Sequence, residues 1–464
     1  MRREATQGES GERSLLAAHL PAIYPRDHRL PDEPSPLSTR TPETPLYDSL
    51  TTNLPLPVMT FTSQNAAPGA WLFPHHQEVN KYLHDYEQRF DLKKFITFNT
   101  LVSRAIWDRE TKLWELSLQK SGEPSSQSLE YFDHLLVCNG HYAKPYSPDF
   151  EGLGLWAAHE SRSVIHSMWY REPSPYQDLR VLVIGGGPSG NDISSDISEV
   201  AKETIQSVRS FQDGQAGRIT QRGAIDRFTE DGSVIFKSGK QAYVDRVVLA
   251  TGYKYDFPFL PQLPLRPPEP NSTALYNSGL HLYPLSQHLF PLMSPFPPSS
   301  LAFFGLPSKV APFPLFEAQA LLAARVMTGR VRIDFGKEYR IAALRNSKLL
   351  EASGYSAERA AKAWHVLDTP EAQFGYREHL WRLAGEPDKT VPAWTCELYD
   401  KKFVIRDGWR ELVKRGEADS WAKSVETGDT DEWVEFAYKV LRETERKGEQ
   451  SELPDSLNQS ERTL

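Results

Sequence analysis

The residues whose types and spacing could most readily do chemistry lie in Arg180–Ile197, RVLVIGGGPSGNDISSDI. Gly185, Gly187 and Gly190 make a G-x-G-x-x-G between an apolar run, Val181–Ile184, and a stretch with helical spacing. In a strand–turn–helix the first glycine makes the tight turn and the second lets a pyrophosphate reach the backbone. The third lets the helix pack close on the strand. Pro188 and Ser189 open that helix, whose free N–H groups and positive dipole end suit phosphate. Ile193 and Ile197 fall four apart on one face, with Asp192 and Asp196 off it. A glycine turn with a purely structural role is the competing reading, and the flanking strand and helix favour a dinucleotide. Ile205–Val208 reads as the next strand, and Arg209-Ser210 follows it, where an NAD site carries an acid for the ribose 2′-OH. A guanidinium and a hydroxyl suit the 2′-phosphate of NADPH instead. The alternative for Arg209 is a solvated side chain at a strand end.

Other elements must hold this turn in place. Val247–Leu249 reads as a buried strand closing the unit, and Thr251-Gly252 after it lets the backbone approach a ligand. Residues 1–45 are polar and rich in proline and serine, the composition of a disordered or extended tail. Asp48, Thr51, Thr52 and Asn53 then form a polar loop before a proline. Glu78–Phe90 has helical spacing at Val79, Leu83, Tyr86 and Phe90. Phe95–Phe98 begins a strand that Leu101–Ile106 continues, and Trp107–Trp114 makes a hairpin turn. Tyr131–Cys138 reads as a buried strand ending in Asn139-Gly140, at the carboxyl edge where open α/β sheets bind ligands. Glu317 and Gln319 open a helix behind Pro-Phe-Pro. Beyond Ile333 the helical patches and Trp364, Trp381, Trp394, Trp409 and Trp421 suggest a core, with a polar, frayed end from Lys447. His75, His76 and His84 lack the spacing of a metal site, and none is expected.

Taken in order, SLTTNLP at 49–55, VCNGHYAKP at 137–145, IHSMWY at 165–170 and VLVIGGGPSG at 181–190 resemble a known family. VRS at 208–210, LATGY at 249–253, FFGLP at 303–307 and FEAQALLAARVMTGR at 316–330 continue the likeness. The chain resembles the flavin-containing monooxygenases, of the fungal-type, N,N-dimethylaniline monooxygenase-like group that oxygenates nitrogen and sulfur. The resemblance implies an α/β fold of two Rossmann-like FAD/NAD(P)-binding domains. The expected division is a tail over 1–45, FAD-domain part over 46–170, NADPH-binding domain over 171–255, FAD-domain part over 256–330 and a mostly helical region over 331–464. It also implies FAD and NADPH as cofactors and a C4a-hydroperoxyflavin that hands one oxygen atom of O2 to a small nucleophile. Asn53 becomes the residue of the oxygenation site, with a turn-forming asparagine in a proline loop as the competing reading. Thr52, Val102, Asn139, Gly140 and Gln319 become cofactor contacts, against a plain core valine for Val102 and a simple turn for Asn139-Gly140.

Two departures stand out. In the family's F-x-G-x-x-x-H-x-x-x-Y signature His166 and Tyr170 fit, but Glu160 and Arg162 replace the phenylalanine and the glycine. The family's first glycine motif, which cradles the FAD pyrophosphate, has no counterpart before residue 46. A truncated FAD domain with unpaired strand edges is therefore expected. Two other readings follow: an NADP-binding remnant without flavin, or a Baeyer–Villiger-type monooxygenase, although Trp169 lies one place off that signature. A net charge of −8 argues against nucleic acid as a partner. No apolar run has the length of a membrane span, and two cysteines suit a reducing, cytoplasmic setting.

Overall fold

The structure, a computed structural model, describes residues 16–17, 44–121 and 126–452. The chain packs as two compact units. One holds Leu16–Ala17, Thr51–Gly140 and Phe257 onward, and the other holds residues 44–50 together with His141–Asp256.

In the second unit six strands form one sheet. They are Ser163–His166 (β1), Arg180–Ile184 (β2), Glu203–Ser207 (β3), Gly214–Ala216 (β4), Ile219–Arg222 (β5) and Arg246–Leu249 (β6), in the order β4-β5-β3-β2-β6-β1. All neighbours run parallel except the β4–β5 hairpin. A parallel sheet is covered on both faces, so its strands are apolar throughout. Alternate residues of β2 and β6 show both faces. Leu182, Ile184, Val247 and Leu249 pack with Trp156, Phe228, Val234 and Phe236. Val181, Val183 and Val248 pack with Ile193 and Ile197 of the helix Pro188–Ser198 (α1). Pairing of β1 with β6 places IHSMWY in this unit, so the unit begins at His141 rather than at the expected 171.

The two aspartates of α1 lie off the Ile193 and Ile197 face, as the spacing predicts, and take partners there. Asp192 is only 9% exposed and accepts from the Tyr47 hydroxyl (3.3 Å). Asp196 accepts from Ser49 and, at 3.4 Å, from Tyr170. These carboxylates anchor the segment preceding Thr51 instead of facing water.

In the first unit, Thr100–Asp108, Leu113–Lys120 and Gln127–Phe132 form an antiparallel sheet, and Trp107 lies opposite Trp114 across the expected hairpin. Ile96–Thr97 is not continuous with it: Asn99, at φ 54°, breaks the chain, and Ile96–Thr97 pairs in parallel with Leu16–Ala17. That short pairing is the one described part of the expected tail; the rest of residues 1–43 lies outside the described residues. The expected strand 131–138 also divides. Leu135–Val137 pairs with Leu301–Phe303, and among the described residues no strand pairs on its other side. Leu136 is accordingly 50% exposed.

The helix expected at 78–90 forms over His76–Arg89, opened by a Glu78 carboxylate that accepts the His75 N–H at 3.1 Å. Its apolar stripe stays partly open, with Leu83 and Phe90 exposed. Beyond residue 330 the chain is helical, as read. Trp381, Trp409 and Trp433 are buried with Leu54, Leu56 and Val58 in a single core, and Trp394 and Trp421 pack against it. The last helix runs Thr430–Glu452, past the expected fraying point at Lys447. No described helix is long and apolar enough to cross a membrane.

Candidate functional site

The glycine turn stands at the carboxyl end of β2, between β3 and β6, where the sheet order reverses. The three glycines differ in what surrounds them. A Cβ on Gly185 (φ +135°) would sit 2.1 Å from the Ala250 carbonyl oxygen, and one on Gly190 would sit 2.3 Å from that of Gly185. Gly187, the N-cap of α1, has nothing within 4 Å of such an atom. The first and third glycines are thus required by packing. The second leaves its backbone open to a ligand at the helix N-terminus, with Pro188 at the first helical position and Ser189 next.

Gln206, 5% exposed on β3, braces this turn. Its side-chain amide donates to Gly185 O (2.9 Å) and to Asn191 Oδ1 (2.8 Å). No glycine motif announces it, and in sequence it is one of several polar residues in the strand Glu-Thr-Ile-Gln-Ser. Arg209 and Ser210 follow β3 as an exposed turn at the same edge of the sheet. Among the described residues no carboxylate pairs with Arg209. That leaves a guanidinium free for an anion.

His166 explains half of the family signature. Its Nδ1 accepts from the Met168 N–H (3.1 Å), which leaves Nε2 to donate to Gly252 O (3.0 Å). Both bonds call for one neutral tautomer, and burial holds the imidazole pKa down to about 4. Gly252 (φ +87°) also accepts from Tyr146 N at 2.9 Å, and the Thr251 hydroxyl donates to Tyr146 O at 2.5 Å. Thr251 and Gly252 are thereby fixed between two loops. Arg162, at the family's glycine position, fills the notch over Gly232. It donates to Glu230 O (2.8 Å) and Trp156 O (3.3 Å). Glu160 is exposed. The departures from the signature are accommodated on the surface of the unit.

In the first unit, the Thr52 hydroxyl donates to Leu54 O at 2.9 Å, and the Thr52 N–H bonds Pro74 O at 3.0 Å. Asn53, between them, is half-buried, and its amide meets no hydrogen-bond partner among the described residues. Gly140 (φ +67°) has open space where a Cβ would point, and Asn139 precedes it at the strand end. Val102 sits beside a bulge in the edge strand of the antiparallel sheet. Gln319 is differently placed from a ring contact. It is fully buried; its Oε1 accepts from Gly305 N (3.2 Å) and its Nε2 donates to the Tyr376 hydroxyl (3.2 Å). Tyr376 in turn donates to Gln287 O at 2.5 Å. Both ends of the Gln319 amide are committed, so it positions the Gly305 turn. Glu317 likewise holds a loop, accepting from Thr62 N (2.8 Å) and Ser63 Oγ (3.1 Å).

The residues present fit NADPH through the open second glycine and the free guanidinium. For FAD, Asn53 and Gly140 are suitably open, but the described residues hold no second G-x-G-x-x-G between a strand and a helix, so no phosphate cradle of that kind is visible for it.

The flavin-binding monooxygenase-like family matches residues 38–214 and 212–363. The chain belongs to that family. Like other flavin-binding monooxygenases, it has the two-dinucleotide-binding-domain fold and uses FAD and NADPH. It is 34% identical to flavin-containing monooxygenase FMO GS-OX-like 7 of Arabidopsis thaliana, over 80% of this chain and 78% of that one. Among solved structures it is similar to S-allyl-L-cysteine S-oxygenase from Allium sativum, at 27% identity and a TM-score of 0.68. That likeness covers 93% of this chain and 92% of the other. Tmm from Pelagibacter, at 18% identity and a TM-score of 0.59, shares the fold.

Proposed function

We propose that this monooxygenase places one oxygen atom of O2 on a soft nucleophile, an amine nitrogen or a sulfur, using NADPH. The observation that carries the reading is the Asn53 amide, half-buried and unclaimed by any described protein group, in a chain that also holds an open dinucleotide turn. The names of the similar proteins, one an S-oxygenase, support sulfur. When bound, FAD and NADPH supply hydride transfer and dioxygen activation.

The chain's own residues orient and exclude. Gly187 and the start of α1 receive the pyrophosphate, while Arg209 and Ser210 receive the 2′-phosphate. Neutral His166 holds Gly252 in place without offering a proton. The Asn53 amide can donate and accept at once, which orients a ring edge without titrating. Buried Leu54 and Leu56 close off water behind it. Two cysteines without a disulfide suit a reducing, cytoplasmic setting.

A second reading, an NADP-binding protein without flavin, draws on the missing phosphate cradle. The two separate on one measurement. The chain is mixed with FAD, desalted, and its visible band at roughly 450 nm followed on adding NADPH. A retained band that NADPH bleaches more readily than NADH supports the monooxygenase. A colourless protein that still binds NADPH supports the second reading.

A further inference from the structure

The loop that carries Asn53 runs straight into the wall of a cleft. Pro55 caps the short, fully buried helix Leu56–Met59, and Leu56 and Met59 line a cleft of about 380 Å³ within the first unit. Its other walls are Ala67, Ala70, Val79 and Phe313. Ligand pockets occupy ~300–1,000 Å³, and an apolar cavity of ~150 Å³ already takes a benzene ring.

Tyr82 and Phe313 line one side and are backed by an aromatic stack. Phe61 lies 4.9 Å from Phe313 and 4.4 Å from Tyr86, ring centre to ring centre, with Tyr82 at 6.0 Å. The Tyr82 hydroxyl is spent, donating to Gln64 O (2.7 Å) and accepting from Phe61 N (2.8 Å). Burial drives its pKa far above the usual phenol value, so it stays neutral. The charges at the rim are engaged too. Lys81 pairs with Asp85 at 2.6 Å, and Glu78 caps His75. Asn65 accepts from Thr430 at 3.2 Å. An anionic ligand group would find no unpaired cation here, since Lys81 is held by Asp85 and Glu78 keeps its negative charge while capping His75, whereas an apolar group would gain burial.

We infer that this cleft seats an uncharged alkyl or aryl arm of the substrate, so that the preferred substrates are thioethers with a bulky apolar substituent. The inference rests on the oxygen-transfer reading above and adds what the substrate carries beside its sulfur.

The test takes the flavin-loaded protein through methyl, butyl, hexyl and benzyl methyl sulfides, beside a carboxylate-tailed sulfide of hexyl length. The comparison is Ala67→Trp, which fills the cleft from an exposed position, with NADPH affinity as the check on folding. In the wild type kcat/KM should rise about threefold to fourfold per added methylene and fall for the charged tail. Ala67→Trp should flatten the series. A flat wild-type series, or a variant with the wild-type slope, overturns the inference. Should no sulfide be oxygenated by either protein, the oxygen-transfer reading fails instead, and the cleft is read by binding alone. Tyrosine and tryptophan fluorescence titrated with hexyl methyl sulfide should then show saturable binding that Ala67→Trp weakens at least tenfold. Absent or equal binding overturns the inference.

Discussion

In the function proposed above, Arg209 and the second glycine divide the work of recognising a dinucleotide. On that proposal Gly187 admits the pyrophosphate that NADH and NADPH share, so it cannot tell them apart. Arg209 would meet the group that only NADPH has, and a hydrogen bond to a charged group contributes ~1.5–3 kcal/mol. Arg209→Ala should therefore weaken NADPH binding about tenfold to a hundredfold and leave NADH binding unchanged. Titration of both nucleotides against protein fluorescence measures this, and equal losses for the two would show that Arg209 acts on the fold. The charge of Arg209 and the glycine spacing were legible in the sequence because both are local. The fate of Gln319 was not. Its amide is claimed by Gly305 and by Tyr376, 57 positions away, and no spacing rule reaches that far.

At the scale of elements, the glycine turn depends on its neighbour strand. Gln206 on β3 satisfies Gly185 O and Asn191 together, which fixes the turn before ligand arrives. Gln206→Leu keeps the burial and removes both donors. It should lower stability by ~1–3 kcal/mol and raise the Kd for NADPH several-fold, measured by urea unfolding and by titration. Unchanged nucleotide affinity would mean that the turn holds its shape alone. The hairpin at Trp107–Trp114 and the β2–α1 unit followed from periodicity and turn residues. The break between Ile96–Thr97 and Thr100–Asp108 did not, because an apolar run reads the same in one sheet or two. Asp192 and Asp196 lie off the apolar face as read, but helical spacing does not tell that Tyr47, Ser49 and Tyr170 come to cover the polar one.

At the scale of the whole molecule, several histidines fold in the neutral state. Burial holds His166 and His281 down to about 4, and His288 well below its usual value, with Arg345 adding to the effect. Unfolded histidines titrate near ~6.5. Between that value and about 4 the unfolded chain takes up protons that the folded chain refuses, so stability falls as pH falls through the window. His166 and His281 each contribute on the order of 3 kcal/mol when the full shift is expressed. Tm should therefore drop steadily from pH 6.5 to 4, and His166→Gln should cut proton uptake on unfolding at pH 5 by about one. Calorimetry in buffers of different ionisation enthalpy reads this directly; a Tm that does not change across the window would mean these histidines charge within the fold. The same burial separates what sequence could and could not give. Membership of the family was readable from short motifs, whereas the neutral lock between His166 and Gly252 appears only once β1 and β6 lie side by side.

The central claim is oxygen transfer, and the most direct measurement follows the oxygen itself. The chain, loaded with FAD and given NADPH and a methyl sulfide under isotopically heavy dioxygen, is quenched and its products weighed by mass spectrometry. The account predicts a sulfoxide carrying one heavy oxygen atom from the gas, formed with NADPH and not in its absence. NADPH consumed without sulfoxide, or a sulfoxide whose oxygen comes from water, would contradict it.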